Sequence, residues 1–100
     1  MRIIDKASWQ IDGGLDPIIV VEHFKRVFQW LADKKFLTAE GKEVVKIGID
    51  QSVSLHERLV TPEGLAFLAK SYDIYLKNNP YGSDKDSSAL EKYYMSYQLM

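Results

Sequence analysis

The stretch LVTPEGLAFL (59–68) repeats, with substitutions, a phrase met 23 residues earlier, FLTAEGKEVV (36–45). Each copy reads apolar-Thr-x-Glu-Gly and leads into an apolar run. Three readings compete: a phosphate-gripping motif, a DNA-reading unit, or two helix starts. The residues favour the third. Thr38 and Thr61 suit the N-cap, because each hydroxyl can accept from a free backbone N–H two or three residues on. Glu40 and Glu63 fall in the first turn, where negative charge complements the helix dipole. Pro62 occupies the first helical position, which needs no N–H. Val60 before the cap and Leu65 four residues into the helix predict a hydrophobic staple. The first copy has Leu37 and Lys42 there, so it lacks the staple and reads as the weaker start. Neither G-x-x-x-x-G-K-[ST] nor G-x-G-x-x-G occurs, and two copies fall short of the three a solenoid requires.

Working outward, the second start predicts a helix from Pro62 to Asn78, with Leu65, Leu68, Tyr72, Tyr75 and Leu76 on one stripe. The first predicts a helix from Ala39 to Ile47, ended at Gly48. Upstream, Asp16-Pro17 opens a longer helix that carries Val20, Phe24, Val27 and Leu31 and fades at Lys34-Lys35. The alternation of Ala7, Trp9 and Ile11 in ASWQID (7–12) predicts a strand near 7–11, closed by the DGG turn (12–14). A second strand is expected within 52–60, where Val53, Leu55 and Leu59 fall at even spacing, and the two would pair. Downstream, NNPYGSDKDSS (78–88) is dense in turn formers. Ser88 and Glu91 match a capping box, followed by Leu90, Tyr93, Tyr94 and Tyr97 at helical spacing. The expected fold is α+β and mainly α: about four helices and a small two-stranded β element in one compact domain. Residues 1–79 form its core, and 80–100 supply a turn-rich linker and a C-terminal amphipathic helix.

Composition narrows the function. One hundred residues suffice for a single core, and 46% hydrophobic with 27% charged residues is an ordinary globular balance. Thirteen basic and fourteen acidic residues give −1, and the two halves of the chain are each nearly balanced. That argues against nucleic acid and anionic lipid as partners. The mild basic bias between Lys25 and Lys46 reads as a solvated face. Absence of cysteine excludes disulfides and thiol chemistry. The opening MRIIDKASWQ is unlike a signal peptide, and no run approaches the ~20 apolar residues of a membrane span. A cytoplasmic location is expected.

The chemistry-bearing residues form no recognised constellation. His23 and His56 lie 33 residues apart without metal-ligand spacing. The serines lack a G-x-S-x-G elbow. Asp5, Asp12 and Asp16 could gather near the DGG turn, but they do not match a calcium loop, and cap and turn roles account for them. No enzyme activity, cofactor or metal is expected. The order of helix, helix, extended run and T-x-E-G helix start over 16–78 loosely resembles winged-helix regulators. That resemblance implies DNA binding, with base reading around 51–58, where His56 and Arg58 flank Glu57. Against it stands the tyrosine skew: Tyr81, Tyr93, Tyr94 and Tyr97 fall in the last twenty residues. Tyrosine combines contact area with a hydrogen-bonding tip and is enriched at interfaces. The sequence therefore favours a protein–protein interaction module, of the inhibitor, immunity or antitoxin-like kind, that binds another protein or itself. Those four tyrosines are its candidate partner-binding residues.

Overall fold

Both T-x-E-G phrases start helices, and the two starts lie against each other. In the computed structural model, which describes residues 1–79 and 88–99, Thr38 accepts from Gly41 N–H and Thr61 from Gly64 N–H, each at 3.2 Å. The residues before the caps meet in an antiparallel bridge, Leu37 to Val60. Around that bridge the phrases exchange equivalent bonds. Thr38 N–H donates to Leu59 O at 3.0 Å, and Thr61 N–H donates to Phe36 O at 2.8 Å. The glycines explain themselves in the same way. A Cβ on Gly41 would stand 2.2 Å from Leu59 O, and one on Gly64 would stand 2.9 Å from Phe36 Cβ. Each glycine lets its own helix press on the chain that leads into the other.

Among the described residues the order is β1 (Ile3–Lys6), α1 (Ala7–Asp12), α2 (Pro17–Asp33), α3 (Ala39–Ile47), β2 (Ser54–His56), α4 (Pro62–Asn78) and α5 (Ser88–Gln98). The fold is α+β and mainly α, as expected, with five helices instead of four. Helix α2 is capped by Asp16, whose carboxylate accepts from Ile18 N–H at 2.8 Å. Val20, Phe24, Val27, Phe28 and Leu31 are buried along its inner stripe, and an apolar side chain fully removed from water contributes about 1.5–3 kcal/mol. The helix ends in a Schellman turn. Phe36 N–H donates to Leu31 O and Lys35 N–H to Ala32 O, with Lys35 itself in the left-handed region at φ 63°. This turn delivers Phe36 and Leu37 to the bridge.

The strand expected near 7–11 is a helix. Ala7 is buried and Ile11 half-buried at i and i+4, while Trp9, which a strand would put beside them, is 51% exposed. Six residues are too few to separate the two periods, and packing on α2 selects the helical one. The N-terminal strand lies just upstream, in Ile3–Lys6. It pairs antiparallel with β2 through Ile3–His56, Asp5–Leu55 and Lys6–Ser54, with an irregularity between Ile3 and Asp5. The second strand falls inside the expected 52–60 but is limited to three residues. The predicted staple residues Val60 and Leu65 are buried and half-buried against the common core. The expectation of a weaker first start does not extend to its cap: Thr38 hydroxyl also donates to Arg58 O at 2.6 Å. No helix among the described residues is long and apolar enough to cross a membrane.

Candidate functional site

Helix α5 brings three of the four predicted tyrosines onto the body of the protein. Asn78 Nδ2 donates to Tyr93 hydroxyl at 2.7 Å near one end of α4, and Phe67 meets Tyr97 with centroids 5.5 Å apart toward the other. The two helices therefore run antiparallel. Leu90 is buried at the start of α5. Tyr94 inserts edge-to-face among Trp30, Phe36 and Phe67 at 5.3–5.5 Å, an arrangement that adds about 0.5–1.5 kcal/mol per pair beyond area burial. Lys34 Nζ lies 5.3 Å from the centroid of the same ring. Tyr81 lies outside the described residues.

Glu91 falls in the first turn of α5, which begins at Ser88. Its carboxylate accepts from Trp30 Nε1 at 2.8 Å and pairs with Lys34 Nζ. These two donors, Lys34 first, hold its carboxyl below the ordinary range. Trp30 and Lys34 thus tie α5 to the end of α2. The tie joins residues about sixty positions apart, so no local pattern announces it.

Tyr94 and Tyr97 stack at 6.4 Å and remain half-buried. With Pro62, Glu63, Ala66 and Gln98 they line a groove of about 400 Å³ at the start of α4. Its walls are aromatic and small apolar groups, with Tyr94 hydroxyl accepting from Gln98 Nε2 at 3.0 Å. Ala66, on the outer face of α4, is exposed. Met95 and Leu99 of the C-terminal segment are exposed as well. The groove can take an apolar or amphipathic side chain and offers hydrogen bonds at its rim.

A second polar group went unseen in the sequence. Tyr72 hydroxyl donates to Asp5 Oδ2 at 2.7 Å and lies 2.8 Å from His23 Nε2. Because the hydroxyl's one proton goes to Asp5, His23 Nε2 serves as donor to Tyr72. Asp5 Oδ1 further accepts from Lys6 N–H at 2.8 Å and Gln10 Nε2 at 3.1 Å. All three residues of the chain Asp5–Tyr72–His23 are 2% exposed. These bonds fasten β1, α2 and α4 to one another, and burial makes each bond costly to lose. Of the three acids that could gather near the DGG turn, Asp5 is in this network, Asp16 caps α2, and Asp12 is exposed.

The segment 51–58 is turn and strand. His56 Nδ1 accepts from Arg58 N–H at 3.2 Å, Glu57 accepts from Arg2 N–H at 2.7 Å, and Arg58 is exposed. Among the described residues no group of three or more His, Cys, Asp or Glu side chains is placed to hold a metal ion. Comparison with protein-family models, with curated proteins and with solved structures returns no match for this chain.

Proposed function

We propose that this chain is a cytoplasmic, non-enzymatic protein–protein interaction module, which acts as an inhibitor would, by occupying the surface of a partner protein. The observation that carries the reading is the half-buried Tyr94–Tyr97 pair flanking a groove with Pro62 and Ala66. Rigid aromatic side chains with polar tips supply contact area at low entropic cost. The most concentrated polar chemistry, Asp5–Tyr72–His23, is bonded within the core and serves packing in this reading. The competing reading is a winged-helix-like DNA-binding regulator. Its candidate reading segment offers His56 and Arg58 beside an acid, and the chain's charge is balanced.

The two readings separate in one experiment. Purify tagged wild type and Ala66→Arg from the source cell and identify what co-purifies stoichiometrically. In parallel, titrate labelled random duplex at ~50 mM salt, where phosphate contacts are strongest. The interaction reading expects one stoichiometric protein, lost in Ala66→Arg without loss of fold, and no low-micromolar DNA binding. DNA binding that weakens steeply by ~200 mM salt and is lost in Arg58→Ala would put the regulator reading in its place.

A further inference from the structure

Strand β2 uses one of its two edges. Val53 O accepts from Ala7 N–H at 3.1 Å, and Glu57 N–H donates to Arg2 O at 3.0 Å. Residues 53, 55 and 57 therefore turn their backbone groups toward β1. Alternate residues of an antiparallel strand point theirs to the opposite edge, so those of Ser54 and His56 face away from β1. His56 O is taken by Leu59 N–H at 3.1 Å. Among the described residues, this leaves Ser54 N–H, Ser54 C=O and His56 N–H along the outer edge: donor, acceptor and donor at strand spacing.

These groups border a cleft of about 320 Å³, lined also by Val44 and Ile47 of α3 and by Val53 and Leu59. Ile47, a large aliphatic residue at the end of α3, is 78% exposed. Asp50 stands at the approach to β2, with its carboxylate accepting from Ser52 N–H at 2.8 Å and from the Ser52 hydroxyl. Those bonds hold its carboxyl below the ordinary range, the hydroxyl's most of all. No residue of the tyrosine groove lines this cleft.

We propose that the cleft receives an extended peptide segment of a partner protein, which adds an antiparallel strand to the open edge of β2, seats an apolar side chain against Val44 and Ile47, and places a Lys or Arg beside Asp50. An extended peptide is the occupant because the edge presents backbone groups in ladder order. A helix keeps its own backbone groups bonded internally and would leave these three unmatched. An unpaired edge is a template for strand addition, with pockets for side chains supplying specificity. Antiparallel pairing sets the peptide's C-terminal end beside the N-terminal end of β2, where the Asp50 carboxylate lies, and this fixes the position of the basic residue. The site is separate from the tyrosine groove, and either can fail without the other.

The test uses the full isotopically labelled chain and a blocked hexapeptide of alternating valine and threonine ending in lysine. The expected result is saturable movement of the Ser54 and His56 amide resonances and the Val44 and Ile47 methyls, with slowed exchange of the Ser54 amide. Methylating alternate peptide nitrogens should weaken binding at least tenfold, and this control leaves the protein untouched. Asp50→Asn should weaken the lysine peptide several-fold at low salt while leaving a lysine-free peptide unchanged. Ser54→Pro removes an edge donor outside the β1 ladder and should abolish the shifts in a chain that keeps its amide dispersion. No saturable shift at millimolar peptide overturns the proposal. So do shifts confined to Tyr94 and Tyr97, equal binding of the methylated peptide, or a doubling of mass showing that a second copy already fills the edge.

Discussion

The helix begun by Thr38 and the helix begun by Thr61 share a cap, an acid in the first turn and a glycine at the third position. Their fates differ. Helix α4 buries Gly64, Phe67, Leu68, Ser71, Tyr72 and Tyr75, whereas α3 buries Gly41 alone and leaves Val44 and Val45 half-covered. The start signal says where a helix begins and nothing about how deep it lies. Depth is decided by the side chains beyond the glycine. Phe67 and Val44 stand at the same offset from their caps, and the larger side chain reaches the rings of Trp30, Tyr94 and Tyr97. Helix α3 serves instead as a buttress, pressed through Gly41 onto the segment that leads into α4.

That contrast can be broken by mutation. The largest difference should come from the paired core positions: Phe67→Ala is expected to destabilise by about 3–5 kcal/mol. Val44→Ala, losing two half-covered methyl groups, should cost about 1 kcal/mol. Urea unfolding of both would settle it, and equal effects would mean that α3 is as central as α4. Next come the glycines. Gly41→Ala meets a backbone carbonyl 2.2 Å away, and Gly64→Ala meets the Phe36 side chain at 2.9 Å. The first should cost about 3 kcal/mol and the second about 1–2, since the overlap at 2.2 Å is far deeper than that at 2.9 Å, and Phe36 Cβ is itself fixed to the backbone. The reverse order would show that the bridge between the phrases is soft.

The caps sharpen the comparison in the opposite direction. Thr38 hydroxyl both accepts from Gly41 N–H and donates to Arg58 O, while Thr61 hydroxyl accepts from Gly64 N–H. Thr38→Ala should therefore lie near the top of the range of about 0.5–2 kcal/mol for lost caps, and Thr61→Ala near the bottom. A costlier Thr61→Ala would restore the ranking that the staple suggests.

The smallest expected effect is one of pH and belongs to the side of the molecule that α5 covers. Glu91 is held below its ordinary pKa by Lys34 and Trp30. Its folded value is thus lower than its unfolded one, so its contribution is complete above the ordinary carboxyl range and fades as pH falls through the folded value. In a Trp9→Phe background, Trp30 emission should shift on acidification below the ordinary carboxyl range, and Glu91→Gln should flatten that shift. Solvent screening keeps the effect modest, because both partners are partly exposed. An unchanged titration in Glu91→Gln would assign the acid response elsewhere.

Legibility in the sequence tracked the range of each interaction. Asp16, Thr38 and Thr61 announced their helices because each cap is followed within two residues by a proline, a first-turn acid or both. The strand near 7–11 was misread because Ala7 and Ile11 satisfy both a period of two and a spacing of four, and only α2 decides between them. The tyrosine stripe was readable as one face of an amphipathic helix. Its receiving surface of Trp30, Phe36 and Phe67 was not, because three separate segments compose it. Asp5, Tyr72 and His23 were wholly illegible, since an acid inside IIDK (3–6) looks like a solvated residue until its partner, 67 positions later, is in place.

That separation has a consequence in time. At roughly 5–20 residues per second of synthesis, Asp5 leaves the ribosome several seconds before Tyr72 exists. Until residues 54–56 follow, β1 carries an apolar pair, Ile3-Ile4, with no strand beside it. The hydrated carboxylate at Asp5 then acts as a gatekeeper against wrong pairing, as charges flanking aggregation-prone strands do. Asp5→Val chains should accordingly partition into the insoluble fraction during expression, more than a Tyr72→Phe chain that loses the same hydrogen bond but keeps the charge. The acid that fastens the finished core first keeps its own strand in solution.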